Sequence, residues 1–326
     1  MKKAAIIIAL ILIVTGIALF AGALISSGSD MSLEKYETER VEFDGDKAYF
    51  SKIMIIADET DITVKPSEDG NAAVVYDDAE KRHYKVSNSD KTLKIELEDT
   101  RSWAEHITLF SKTRKMTVYL PRTHYDLLLI DSGTGDVSLP EEIKFGEITV
   151  RTSTGDIECK ASSGGAVSLT ASTGDIKLEK VSAKRVVLSV STGKVTASDV
   201  KCSGEIYVKV STGKTQLSDV SCEYLFSEGT TGKIYLKNTV AEDSMEIERG
   251  TGDVTFDNCD AEKITVTAST GDVKGTLRTG KIFNAKTSTG KVRVPESTSG
   301  GKCDITTTTG NIIITLYHSV EVGREY

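Results

Sequence analysis

The sequence predicts an all-β chain: a single-stranded β-solenoid, or β-helix, whose coils repeat about every 19–20 positions, preceded by one N-terminal transmembrane helix. Three observations predict it: ten glycines in turns of Ser-Thr-Gly type at near-constant spacing, apolar residues at alternate positions between them, and one long uncharged stretch at the start. A fixed period of this length marks units that stack and share one core. Alternation with a period of two buries one side of a strand and excludes an amphipathic helix.

The first element is the uncharged run from Ala4 to Leu24, which follows Lys2 and Lys3. At 1.5 Å per residue such a helix is about 30 Å long, enough to cross a bilayer. The two lysines favour an inside N-terminus, so everything after Ile25 is expected outside the cell membrane. Residues 1–25 are therefore read as a signal anchor, with cleavage near Ala21-Gly22-Ala23 as the competing reading. Residues 26–45 read as a polar stalk.

Next comes an N-terminal β region, residues 46–126. Within it Ile53, Ile55, Ile62 and Val64 flank Thr60 in the register of a degenerate early coil. Ala73–Tyr76, Leu93–Leu97 and Met116–Leu120 read as longer strands that elaborate this end. The repeat proper, residues 127–316, carries ten turn glycines: Gly135, Gly155, Gly174, Gly193, Gly213, Gly232, Gly252, Gly271, Gly290 and Gly310. They advance in steps of 19 or 20. Apolar residues lie seven, five and three positions before the glycine, as in Val186, Leu188 and Val190, and two and four after it, as in Ile176 and Leu178. Two strands per coil thus face one interior. A further inward row, Ala183, Cys202, Cys222, Ala241 and Ala261, sits nine positions after the glycine. Residues 317–326 form a tail.

Composition agrees. Four prolines against 27 glycines suit many turns between strands, because proline removes a ladder donor. A net charge of −8 argues against nucleic acid, whose phosphates need clustered Lys and Arg. Five cysteines, Cys159, Cys202, Cys222, Cys259 and Cys303, are odd in number and lack CxxC spacing, which indicates neither a full disulfide framework nor zinc. They read as small buried residues, with a Cys202–Cys222 bridge between stacked coils as the alternative.

The membrane helix, Ile53 to Val64, Lys115-Met116-Thr117-Val118-Tyr119-Leu120-Pro121 and the repeats such as Ser132 to Val137 together resemble the LiaG-like adhesin family of bacterial envelope proteins. The resemblance covers residues 46–316. It implies an exported β-repeat protein, in some members linked to envelope-stress signalling, and supplies no catalytic residue.

Candidate chemistry lies in the residue after each turn glycine: Asp136, Asp156, Asp175, Lys194, Lys214, Lys233, Asp253, Asp272, Lys291 and Asn311. The row is read first as a solvated edge. Asp136, Asp156 and Asp175 are calcium candidates through hard oxygen ligands, and Lys194, Lys214 and Lys233 are a candidate binding row. No catalytic set is expected, because His83, His106, His124 and His318 are scattered outside the turns; no cofactor is expected either. Trp103 with Tyr119 and Tyr125 is weighed as a sugar platform against simple packing. The expected function is a non-catalytic, membrane-anchored, extracellular binding module whose partner is a cell-wall glycan or a membrane protein. The alternative is an envelope-stress regulator contacting a membrane sensor, and a polysaccharide-active enzyme ranks third.

Overall fold

The computed structural model describes residues 35–43, 49–102 and 113–317, together with Ile13, Thr15, Gly16 and Gly22. The expected membrane helix lies almost entirely outside the described residues, as do most of the stalk, Trp103, His106 and the tail from His318. Among the described residues no helix is long and apolar enough to cross a membrane.

The described residues build 24 strands joined in one sheet. Its body is a parallel stack. Strands β8 (His124–Thr134), β10 (Lys144–Thr154), β12 (Ala166–Thr173) and β15 (Arg185–Cys202) follow one another in register, pairing Leu128 with Ile148, Ile148 with Val167 and Val167 with Val186. That column continues through Ile206, Leu225, Met245 and Ile264, all at most 2% exposed. A register kept along this inward column is what turns a sequence period into a continuous core.

Each coil has three sides, not the two expected. A first corner lies at the turn glycine and a second six residues later, where Lys180, Asp199, Asp219, Asn238 and Asn258 hold φ between 47° and 58°. Asp and Asn tolerate this left-handed backbone better than most residues. The third side then turns Ala183 toward Cys202 and Cys222 toward Ala241 on neighbouring rungs. Two side-chain bonds stitch the second corner, from Asn238 to Asp219 at 2.8 Å and from Asn258 to Asn238 at 2.7 Å.

The ends depart from simple succession. Strand β2 (Lys52–Ala57) lies between β8 and β6 (Thr92–Asp99), and β3 (Thr60–Pro66) lies between β9 (Val137–Leu139) and β7 (Arg114–Leu120). The early coil is therefore an inner rung. Antiparallel strands close that end: β5 (Arg82–Ser89) on β6, β4 (Ala72–Asp78) on β7, and β1 (Glu37–Phe43) on β4.

At the other end the last two coils change places. Strand β23 (Gly301–Thr309) inserts between β19 (Val254–Thr270) and β21 (Lys281–Thr289), and β24 (Ile312–Leu316) inserts between β20 (Val273–Leu277) and β22 (Val292–Arg293). The stacking order is thus Gly271, Gly310, Gly290. The chain's step past the intervening rung is fastened by Lys281, 3% exposed, whose Nζ meets Asp260 Oδ1 at 2.6 Å and donates to Thr279 Oγ1 at 2.7 Å. Gly301 passes so close to the Glu262 carbonyl that any Cβ there would collide with it.

Candidate functional site

The turn row repeats on each of the ten glycine rungs. All ten turn glycines hold φ between 131° and 152°. At Gly213 a Cβ would also run into the Gly193 carbonyl oxygen. Only glycine fits such a position.

The Asp residues that follow serve the backbone. Asp156 N donates to Asp136 Oδ1 at 2.8 Å, Asp175 N to Asp156 Oδ1 at 2.7 Å, and Lys194 N to Asp175 Oδ1 at 2.7 Å. Each carboxylate replaces the ladder acceptor that the turn has moved away. Among the described residues no group of three or more His, Cys, Asp or Glu is placed to hold a metal ion.

Between Lys194 and Lys214 the ladder itself continues. Gly193 pairs with Gly213 and Lys194 with Lys214, so β15 and β16 (Glu205–Thr231) run unbroken through their turns. Lys233 does not stand free, since its Nζ meets Asp253 Oδ2 at 2.9 Å. That hydrogen bond holds the Asp253 carboxyl below the usual range, helped by the amide of Asp272.

Departures from the repeat converge on the coils of Gly213, Gly232 and Gly252. On the outer face of the first side, Tyr207 and Phe226 stack with centroids 5.4 Å apart and planes within 11°. The Tyr207 hydroxyl donates to Glu228 at 2.8 Å, and Lys209 Nζ lies 2.6 Å from the same carboxylate. Lys209 first, then Tyr207, lowers the Glu228 carboxyl from its ordinary value. Tyr224 follows a break in register after Cys222 and is 41% exposed. Bulges of this kind re-aim side chains.

Behind this face the interior is irregular too. Arg249, 3% exposed, stands three residues before Gly252, where four other coils place Ala171, Val190, Val210 and Ala268. Its Nη1 donates to the Val210 carbonyl at 3.3 Å and its Nη2 to Thr215 Oγ1 at 3.1 Å, while Nε has no partner among the described residues. Burial lowers its pKa to about 10. Gly229 makes the room, for a Cβ there would strike the guanidinium. Sites that break local rules inside a regular fold are where function is expected.

The other candidates separate. Tyr125 is core, stacked on Phe50 at 6.0 Å and packed on Phe145 at 5.8 Å, and Tyr119 lies under Arg40. Tyr125 thus follows the packing reading, Trp103 lies outside the described residues, and an exposed aromatic face forms in the later coils. His83 is bonded to Asp78 at 2.7 Å on the surface, and His124 opens β8. All five cysteines are buried and free. Burial pushes the Cys222 thiol up to about 12 and Cys259 to about 11, away from reactivity. Tyr207, Tyr224 and Phe226 are the residues that sequence reasoning missed. Their signal was present: aromatics at outward positions six or eight before the glycine, where the Gly174 coil has Ser168 and Ala166.

The model of one family, Toastrack DUF4097, matches residues 50–206 and again 201–324. The chain belongs to the Toastrack DUF4097 family. No curated protein matches it in sequence. The Toastrack chain is similar in fold to a crystal structure described as a "putative adhesin" from Parabacteroides merdae ATCC 43184, with TM-score 0.50 and 12% identity, covering 86% of this chain and 96% of that one. A second "putative adhesin", from Parabacteroides distasonis ATCC 8503, aligns with TM-score 0.45 and 10% identity over 86% of this chain and 97% of its own. At 12% identity the likeness to the first structure is one of fold. It is a Toastrack β-solenoid that the aromatic face decorates.

Proposed function

We propose that this Toastrack protein is a non-catalytic, adhesin-like surface module, held at the cell membrane by residues 1–25 with the solenoid outside. One observation carries the reading: the outer face of the Gly213 and Gly232 coils gathers Tyr207, Tyr224 and Phe226 beside a bonded Lys209–Glu228 pair. Tyrosine offers large contact area with little entropy to lose, and surrounding hydroxyls adapt to polar partners. Ser189, Ser211 and Thr230 supply those hydroxyls on the same outer rows. Among the described residues the five thiols are buried, and His83 and His124 lie away from this face in the N-terminal half.

The test is photo-crosslinking of the full-length protein in its own membrane, with probes at Tyr224 and Lys214 and a control probe at Arg151. Capture of a glycan or an external protein at Tyr224, absent at Arg151, is the expected result. Equal capture at both positions would sink the assignment of this face. Capture of a membrane sensor of the same cell would replace the adhesin-like reading by the regulatory one.

A further inference from the structure

The coil exchange leaves an unusual terminal rung. Strand β21 pairs with β23 on one edge and with no strand on the other among the described residues. Its inward residues Phe283, Ala285 and Thr287 are only half-buried, whereas Cys303 and Ile305 one rung below are at most 1% exposed. Ile282 is 47% exposed and Val292 41%. A parallel edge with an uncovered core beneath it is a template for another strand.

We propose that this rung is a self-association edge, at which two copies of the chain pair β21 with β21 in antiparallel fashion. Pairing about the strand midpoint Ala285 sets Lys286 against Asn284, Ile282 against Ser288 and Phe283 against Thr287 of the second copy. No like charges fall opposite each other. Inward residues meet inward residues, so the two cores become continuous, because antiparallel pairing about a residue preserves the alternation. The opposite end is not built for this: β5, the edge on the same side of the coil, exposes Lys85, β1 exposes Glu37, Glu39 and Glu42, and such charges blunt an edge. The two-fold axis of such a pair is perpendicular to the stack, so the N-terminal ends point away from each other. The edge would therefore join proteins anchored on two different surfaces. That last step rests on the adhesin-like reading, whereas the pairing itself does not.

The experiment measures sedimentation of the full-length chain in detergent, with Ala285→Lys and Ala285→Cys, and clustering of beads that carry the chain by its N-terminal end. A dimer is expected whose dissociation constant rises at least about tenfold in Ala285→Lys, which places two ammoniums at the axis. Under mild oxidation Ala285→Cys should form a chain-to-chain disulfide, and Thr170→Cys, on an outer face in mid-stack, should not. Beads should cluster with the native chain and stay apart with Ala285→Lys. A monomer at every concentration, or a dimer indifferent to Ala285→Lys, would overturn the proposal. So would dimerisation only after removal of residues 318–326, which assigns the edge to the chain's own tail. Beads of Ala285→Lys that still bind the partner captured at Tyr224 separate failure of pairing from failure of the adhesin-like reading.

Discussion

At the scale of single residues the constraint is sharpest at Gly213. Its φ of 142° and the Gly193 carbonyl beneath it leave no space for a side chain. Gly213→Ala should lower stability by about 2 kcal/mol or more, the cost of a glycine-only backbone plus a clash that neither rung can relieve. Thermal denaturation followed by circular dichroism checks it, and an unchanged melting temperature would contradict the turn geometry. Arg249 is the converse case. The sequence shows a charged residue at an inward position, but the partnership with Thr215 and Gly229 spans two rungs and exists only after stacking. A side chain's parity is legible from one strand. Its neighbours are not.

Among elements, the first-side strands carry both the core and the candidate site. Leu188 and Val208 stand in register inside, while Tyr207, Lys209, Phe226 and Glu228 interact outside. The Glu228 carboxyl titrates below its unfolded value because Lys209 and Tyr207 bond its charged form. Its stabilisation is therefore full above the ordinary glutamate pKa and fades as pH falls through the lowered one. Glu228→Gln should narrow that pH dependence. The gap in stability between the two proteins should be widest near neutrality and should close in acid, as read from urea denaturation at several pH values. A constant gap would mean that the bond to Lys209 is not what lowers the carboxyl. Exposure to water and salt keeps the effect small.

For the molecule as a whole, the exchanged C-terminal coils decide how the stack ends. With β23 and β24 absent, β21 and β22 would have no rung beneath them, because their ladder partners are β23 and β24 rather than β19 and β20. Truncation after Ser299 should therefore abolish amide-exchange protection in 281–293 as well, while the rungs from Gly135 to Gly252 stay protected. Persistent protection of Phe283 to Thr287 in the truncated chain would restore the simple succession of coils.

The coil is legible in the chain alone: a period of 19 or 20, a glycine corner, and an inward row from Leu128 to Ile264. Those are local rules, written anew in every repeat, so one chain read without its fold suffices. The second corner at Lys180, Asp199 and Asn238 was equally local, but Asp, Asn and Lys are common on any surface and did not stand out. Which rung lies on which is settled by contacts made after stacking. Every coil presents nearly the same apolar column to its neighbours, so the pattern is indifferent to order. The Lys281–Asp260 contact and the close passage of Gly301 by Glu262, each made between residues distant along the chain, break that indifference and leave β21 at the open end.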